Sequence, residues 1–352
     1  MCSVAALPRC VSNCYRSGAA DPAMLNAVWE GFGGPYWVQR GGMAIRAWRH
    51  GWRRIKGTRV WMFHGAVDSF KDRAVEHNFT TYADLEQCAS VFRRLTPIGL
   101  AELAHAVRHG KSTPEDGALI TFDDGYRNNI PACELLRKAG IRVAVFVCAG
   151  YPGGSTIWTA EVTLLVLHGG KDKIEILDRE WLLDDENRRR AACRCIRGEM
   201  KRLPASQRLA VLNALREQFP RGRSEELLEQ FESLRLMTWE EIRYLNSLGV
   251  EIGRHGMFHE IHNESQEKAV LEFEARRSKE EIERQVGVSC FAFAYPNGNV
   301  NGNSAAILRE AGYELAFTTE RGVLKPGQEP FRLPRVEGSR LHAAVRDAYY
   351  HA

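Results

Sequence analysis

Several features that mark particular protein classes are missing from this chain. None of its nine cysteines forms a C-x-x-C pair, so zinc-ribbon spacing is absent. No apolar run is long enough to span a bilayer. The N-terminus lacks the basic region and apolar core of a secretory signal. We therefore expect a cytoplasmic protein in a reducing compartment.

The charge excludes a further class. The net charge is +4, from 48 basic and 44 acidic residues, which is too mild for a protein that binds nucleic acid through a concentrated basic face. Hydrophobic residues make up 44% of the 352 positions, which is typical of a soluble globular protein with a sizeable core. The length suggests about two domains, or one barrel-sized domain with additions.

Predicted strands and helices alternate from residue 58 onward, and the helices tend to end in a glycine just before the next strand. This alternation predicts βα units around a parallel sheet. Residues from about 154 to 235 interrupt it with charged helical patterns, which we interpret as a solvated helical insertion. The predicted strands are Val60–His64, Leu119–Phe122, Ile141–Cys148, Val250–Gly253, Cys290–Ala294, Leu315–Thr318 and Arg332–Val336.

Residues that can do chemistry sit at the carboxyl ends of separate predicted strands. They are His64, the pair Asp123 and Asp124, His255, Tyr295 and Arg335. In a βα barrel these ends form one shared face, where active sites assemble. We therefore predict a single site built from all of them.

Two adjacent carboxylates end the strand that reads L-I-T-F-D-D-G. Neighbouring acids repel each other and are costly to desolvate together. We interpret Asp123 and Asp124 as a division of labour, in which one binds a cation and the other takes a proton. The alternative is an ordinary Asp-Gly turn at a strand end.

The segment R-H-G-M-F-H places His255 and His259 four residues apart, where both can face one cation. Gly256 disfavours a helix here, so we predict a strand end that runs into a turn. With Asp124, the two histidines would form a ligand set with open positions, as in catalytic sites. The alternative is a pair of satisfied histidines near the surface. We expect His262 to be exposed to solvent.

The motifs T-F-D-D-G-Y, E-I-G-R-H-G-M-F-H and F-A-Y-P-N-G, in this order, resemble the NodB-type polysaccharide deacetylases of carbohydrate esterase family 4. The resemblance covers about residues 58–340, interrupted by the insertion. It implies an α/β fold, a distorted (β/α)7 barrel. It also implies divalent-metal-dependent hydrolysis of an N-acyl group on an amino sugar. Zinc is the expected metal, and cobalt and nickel are alternatives.

By position, the resemblance implies that Asp123 is the general base. It implies that Asp124, His255 and His259 are the metal ligands, and that a backbone N–H at Tyr295 helps to stabilise the oxyanion.

Two departures from the family pattern affect the remaining roles. Many members carry an arginine before the proline of the third motif, which F-A-Y-P-N-G lacks. We predict that Arg335, in preference to Arg332, orients Asp123 instead. Many members also end on a Leu-x-His strand, which His342 and His351 do not match.

The pair Phe63-His64 resembles the early strand end of exopolysaccharide N-deacetylases. We therefore predict that His64 is the general acid, with a strand-capping histidine as the alternative.

We interpret residues 1–57 as an N-terminal extension and residues 341–352 as a tail. Within the extension, residues 42–56 place tryptophan and isoleucine at helical spacing with arginines between them, which predicts a basic amphipathic helix. We favour packing of its tryptophan face on the main domain. The alternative is contact with an anionic membrane surface, which would make the protein membrane-peripheral.

The leading hypothesis is an N-deacetylase that acts on an N-acetylated sugar or glycan during glycoconjugate or exopolysaccharide synthesis. One alternative is a deformylase or deacetylase of a lipid-linked amino sugar, or a hydrolase of a small cyclic amide. Another is an inactive glycan-binding module, which the intact Asp-Asp and His-His pairs argue against.

Overall fold

The computed structural model describes residues 57–151 and 153–338. The predicted basic helix at residues 42–56 and the tail at 341–352 lie outside the described residues. No helix of the described ranges is both long enough and apolar enough to cross a membrane.

Twelve strands occur in the described part of the chain. They are β1 (Arg59–Phe63), β2 (Ala66–Val67), β3 (Thr80–Thr81), β4 (Thr96–Pro97), β5 (Gly117–Phe122), β6 (Val143–Val147), β7 (Lys173–Ile176), β8 (Arg179–Leu182), β9 (Glu251–Arg254), β10 (Ala292–Ala294), β11 (Leu315–Arg321) and β12 (Leu333–Glu337).

Ten α-helices and two short 3-10 segments, Glu232–Leu234 and Pro296–Gly298, accompany these strands within the same ranges. The α-helices are α1 (Tyr82–Phe92), α2 (Leu100–Arg108), α3 (Asn129–Lys138), α4 (Trp158–His168), α5 (Glu186–Met200), α6 (Ala205–Glu217), α7 (Arg223–Gln230), α8 (Trp239–Ser247), α9 (Lys268–Val286) and α10 (Ser304–Glu310).

Seven parallel strands form a closed barrel in chain order: β1, β5, β6, β9, β10, β11 and β12. The ring closes because β1 pairs in parallel with both β5 and β12. All residues of β1, β5 and β6 are buried, as expected for parallel strands that are covered on both faces. The predicted (β/α)7 barrel is confirmed.

The barrel interior is filled by apolar side chains from strands on every side. Leu119, Phe146, Phe317 and Leu333 are fully buried and belong to one core cluster. The rings of Phe146 and Phe317 meet edge to face, with centroids 5.6 Å apart. The interior is therefore a packed core, and the chemistry is confined to the strand ends.

The sequence pattern predicts helices over residues 126–139 and 264–285, and both begin later in the structure. Helix α3 begins at Asn129 because Tyr126 forms an isolated bridge with Leu236, and the amide of Arg127 donates to the carbonyl of Arg235. Helix α9 begins at Lys268, after a turn around Asn263. In both places, contacts with other segments replace the first helical turn.

Residues between β6 and β9 form helices α4 to α8 and the antiparallel hairpin β7–β8. Because β6 pairs directly with β9, the barrel wall continues without a strand from this stretch. The hairpin escaped prediction because its turn residues, Leu177 and Asp178, both have φ of 57° without a glycine. Hairpin turns of this kind are usually signalled by Asn-Gly or Asp-Gly.

Gly253 of β9 supplies a test of the barrel packing. A Cβ at this position would lie 2.4 Å from the ring of Phe146. We expect Gly253→Ala to lower the free energy of unfolding by about 1–3 kcal/mol because it overpacks the core.

The matched control is Gly198→Ala in α5, where a Cβ would meet no atom within 4 Å. It should raise the free energy of unfolding by up to about 1 kcal/mol, since alanine favours a helix over glycine. Urea unfolding of both variants measures the contrast, and equal stabilities would contradict the packing argument.

Candidate metal centre

Asp124, His255 and His259 meet in a buried cluster at the carboxyl ends of β5 and β9. One potential ligand atom from each lies within 4.8 Å of the others. The Nε2 atoms of His255 and His259 are 3.3 Å and 3.4 Å from Oδ1 of Asp124. The structure thus brings together the three residues that the sequence predicted as ligands.

The backbone is strained where two of these residues are held. Asp124 has φ of 70° and His259 has φ of 56°. Residues other than glycine rarely adopt this left-handed region, and each instance costs about 1–3 kcal/mol. Gly125, with φ of 86°, completes the turn after β5. These turns direct both side chains toward His255.

The donor set fits a divalent cation. Nδ1 of His255 lies 2.8 Å from the carbonyl oxygen of Ala294, which assigns the proton to Nδ1 and leaves the Nε2 lone pair facing Asp124. Oδ1 of Asp124 is buried and has no hydrogen-bond partner among the described residues. Lone pairs that face each other in a buried site need a shared cation, and two imidazoles with one carboxylate are a common zinc set.

Burial lowers the pKa of His259 to about 3. The imidazole is therefore neutral near pH 7, which leaves a nitrogen free to bind a metal.

Asp123 forms a buried ion pair with Arg335, which lies in the middle of β12 and not at the strand end that the sequence predicted. Nη1 of Arg335 donates to Oδ1 at 2.7 Å, and Nη2 donates to Oδ2 at 2.6 Å. Nε of the same guanidinium donates to the carbonyl of Thr318 at 3.0 Å, and Nη1 also reaches the hydroxyl of Thr121 at 3.2 Å. Burial alone would raise the pKa of Asp123, but the charge and hydrogen bonds of Arg335, together with the nearby His255 and His64, outweigh it and lower the pKa.

Of the two arginines that the sequence offered as partners of Asp123, only Arg335 contacts it. Arg332 instead pairs with Glu320 at 2.9 Å on the surface. The orienting role of Arg335 stays a prediction, but its geometry is the bidentate one that such a role requires.

His64 follows β1 directly and is half-buried. Its Nδ1 atom is buried without a hydrogen-bond partner among the described residues. The imidazole is close enough to Asp123 and Asp124 to influence the protonation of both carboxylates. It therefore belongs to the same cluster, as its position at a strand end predicted.

Tyr295 is fully buried at the end of β10, but its amide has a different partner from the predicted one. The N–H donates to the carbonyl of Phe317 at 3.0 Å as part of the sheet. It is therefore not free to meet an oxyanion in this arrangement. The ring packs against Phe293 and His262, with centroids 5.4 Å and 5.1 Å away.

The predicted exposure of His262 is wrong. Only 1% of its surface is accessible, and its Nδ1 lies 3.0 Å from Oγ of Ser304. The ring packs against Phe293 and Tyr295 because the segment after His259 turns inward over β10. His262 thus packs against residues next to the site, and it is not part of the ligand cluster.

Sequence reasoning missed the buried carboxylate of Glu274 in α9. It accepts the backbone N–H of Met257 at 2.7 Å and that of Phe258 at 3.1 Å. Burial, followed by repulsion from Glu260, raises its pKa to about 8. Glu274 therefore braces the turn that joins His255 to His259. A charged helix carries many glutamates, and only the folded contact singles this one out.

The chain was compared with known proteins. The family model described as polysaccharide deacetylase matches residues 211–316, which include the second and third motifs. No curated protein matches significantly.

Three solved structures share the fold. The deacetylase PplD of Streptococcus pyogenes, in complex with acetate, is 14% identical with a TM-score of 0.53 and covers 83% of this chain and 97% of its own. IcaB of Ammonifex degensii is 17% identical with a TM-score of 0.51, covering 83% and 97%. A de-N-acetylase of Aggregatibacter actinomycetemcomitans is 14% identical with a TM-score of 0.50, covering 82% and 98%. The family match over residues 211–316 and the shared fold bear out the resemblance that the motifs predicted.

Proposed function

We propose that this protein is a divalent-metal-dependent de-N-acetylase that acts on an N-acetylated amino sugar within a glycan or a glycoconjugate precursor. The observation that carries the proposal is the buried set of Asp124, His255 and His259 beside a second, ion-paired carboxylate. A binding module has no need for a cation site and a separate proton acceptor in one cluster.

Each residue has a distinct task in this proposal. Asp124, His255 and His259 hold a divalent cation, for which zinc is our choice. When bound there, the cation supplies Lewis acidity toward the amide carbonyl and toward an attacking water. Asp123 accepts the proton of that water through a lone pair that Arg335 leaves free. His64, at the end of the neighbouring strand β1, donates a proton to the departing amine, which is a poor leaving group without one.

The structural neighbours support this reading of the reaction. The PplD structure contains acetate, the acid that de-N-acetylation releases. The likeness to IcaB, at a TM-score of 0.51, agrees with the Phe-His strand end from which the exopolysaccharide N-deacetylase subgroup was suggested.

Zinc binding is the first test. We expect zinc to raise the thermal unfolding midpoint of the metal-free protein by roughly 5 °C at a large excess over the dissociation constant, because it binds only the folded site. Asp124→Asn should abolish most of this rise, since a carboxylate ligand is lost. The matched control is Asp178→Asn in the β7–β8 turn. An undiminished zinc response in Asp124→Asn would contradict the assigned ligand set.

The reaction is tested by acetate release from N-acetylglucosamine oligosaccharides. We expect release that EDTA abolishes and added zinc restores. His64→Ala should lower turnover by about 100-fold, the scale of general acid catalysis, while the zinc-induced rise in unfolding midpoint persists.

The exposed His109→Ala serves as the control for His64→Ala. If His64→Ala instead loses zinc, His64 is a ligand and its assigned role is wrong. If the protein releases formate from N-formyl sugars and releases no acetate from N-acetyl sugars, the alternative function as a deformylase is favoured.

The pH dependence of kcat/KM tests the role of the ion pair between Asp123 and Arg335. Arg335 lowers the pKa of Asp123 and so keeps this base ionised toward low pH. Arg335→Lys keeps the positive charge but loses the two parallel hydrogen bonds of the guanidinium, so the pKa of Asp123 should rise. The acid limb of kcat/KM should then move to higher pH. Arg332→Lys, in the surface pair with Glu320, should leave the profile in place. An unmoved acid limb in Arg335→Lys would mean that Asp123 is not the titrating base.

A further inference from the structure

The carboxyl end of α5 is fastened beside the candidate metal centre. Nζ of Lys201, just after the helix, donates to Oδ1 of Asn297 at 2.5 Å, and Asn297 belongs to the third motif. The side chain of Asn263 donates to the carbonyl of Lys201 at 2.6 Å, four residues beyond His259. The helix end thus bridges the segments that follow β9 and β10.

Further contacts fix this stretch to the histidine segment. Arg208 of α6 pairs with Glu260, and both side chains are buried. Nε1 of Trp158 in α4 donates to the carbonyl of His259 at 3.2 Å. Breaking a buried pair of this kind is strongly unfavourable, so α6 is held against the segment that follows His259.

The basic residues of α5 differ in whether they form salt bridges. Near its start, every arginine of a run of three pairs with a nearby carboxylate: Arg188 with Asp184, Arg189 with Asp172, and Arg190 with Glu186. Near its end, Arg197 and Lys201 form no salt bridge with any carboxylate of the described residues. Nε of Arg197 is buried without a hydrogen-bond partner in the same part of the chain.

Arg197 and Lys201 are four residues apart, so they lie on one face of the helix and repel each other. Both are half-buried. Burial, followed by repulsion from Arg197, lowers the pKa of Lys201 to about 8. Unpaired cations in such surroundings carry a cost in folding free energy that a bound anion would offset.

The charges of Lys201 and Arg197 act on residues of the candidate metal centre and of the turn beside it. The charge of Lys201 reaches Asp124 and His259, and the charge of Arg197 reaches Tyr126, which directly follows the Asp-Asp-Gly turn. The site therefore has an anionic side, formed by the two aspartates, and a cationic side, formed by α5.

We propose that Arg197 and Lys201 form a subsite for an oxyanion, a phosphate or a carboxylate, that the sugar substrate carries close to its N-acyl group. The inference rests on the proposed function and deepens it, because it names an anionic amino sugar as the substrate class. The guanidinium fork matches two oxygens of either anion, and the ammonium adds a point charge. Neutral N-acetylglucosamine polymers would leave both cations unpaired.

The test is a binding measurement, which does not depend on turnover. Isothermal titration of the zinc-loaded protein compares N-acetylglucosamine, its 1-phosphate and an N-acetylglucosamine–glucuronate disaccharide. We expect at least one anionic ligand to bind more tightly than the neutral sugar. The double variant Arg197→Gln, Lys201→Gln should weaken that ligand by about tenfold or more, and the neutral sugar far less. Whichever of the two anionic ligands binds more tightly shows whether the subsite prefers a phosphate or a carboxylate.

Three further variants distinguish loss of the anion subsite from other causes of weaker binding. The charge-preserving swap Arg197→Lys, Lys201→Arg should retain anion binding, which excludes a folding defect. Arg194→Gln, an exposed change on the same helix, should have no effect. The Asp124→Asn protein should still bind the anionic sugar, since the subsite is separate from the metal. Equal affinities for the anionic ligand in the wild type and the double glutamine variant would overturn the subsite.

The two proposals fail differently. If the protein releases no acetate from any N-acetyl sugar yet binds the anionic sugar through these cations, the proposed function fails and the subsite stands. If it deacetylates neutral oligosaccharides and shows no preference for anionic ligands, the subsite alone is wrong.

Discussion

The buried pair of Asp123 and Arg335 is the interaction on which the candidate site depends. The two residues are 212 positions apart in the chain. Asp123 directly follows β5 and Arg335 lies within β12, and these strands are the two neighbours of β1. They meet because the barrel closes, and their side chains are almost inaccessible to solvent. Removing one partner from such a pair costs about 3–5 kcal/mol, whereas an apolar replacement of both can be neutral or better. Stability alone therefore gives little reason for the pair, and its presence at the site favours a role in chemistry.

The same pair explains how two adjacent carboxylates can be buried side by side. Arg335 neutralises Asp123, and the left-handed turn at Asp124 swings the second carboxylate toward the histidines. Asp123 thus has its counter-charge in Arg335, and Asp124 points to the histidines, where a bound cation would balance its charge; these separate partners would relieve the repulsion that their adjacency creates. The division of labour inferred from sequence has a physical basis in these separate surroundings.

The strand ends were the most predictable part of the molecule. Apolar runs that stop at polar residues mark where a barrel strand reaches its carboxyl end, and this rule located Asp123 after β5 and His255 after β9. It also led to Arg335, which the structure places inside β12. What escaped prediction depends on contacts that no local pattern encodes. The inward turn that buries His262, the sheet bond that occupies the amide of Tyr295 and the bracing contact of Glu274 each require a partner from another element.

Backbone strain is distributed in a way that links fold and function. Five non-glycine residues of the described chain have positive φ, and two of them form the hairpin turn of β7–β8. The other three, Asp124, His259 and Asn297, follow β5, β9 and β10, and each lies in one of the three family motifs. Such conformations persist only where the surroundings over-determine them. Here the barrel wall fixes the strand ends, and Glu274, Trp158 and Lys201 hold the turns from outside. The stretch between β6 and β9 is therefore part of the frame that keeps the motifs in their strained, pre-organised form.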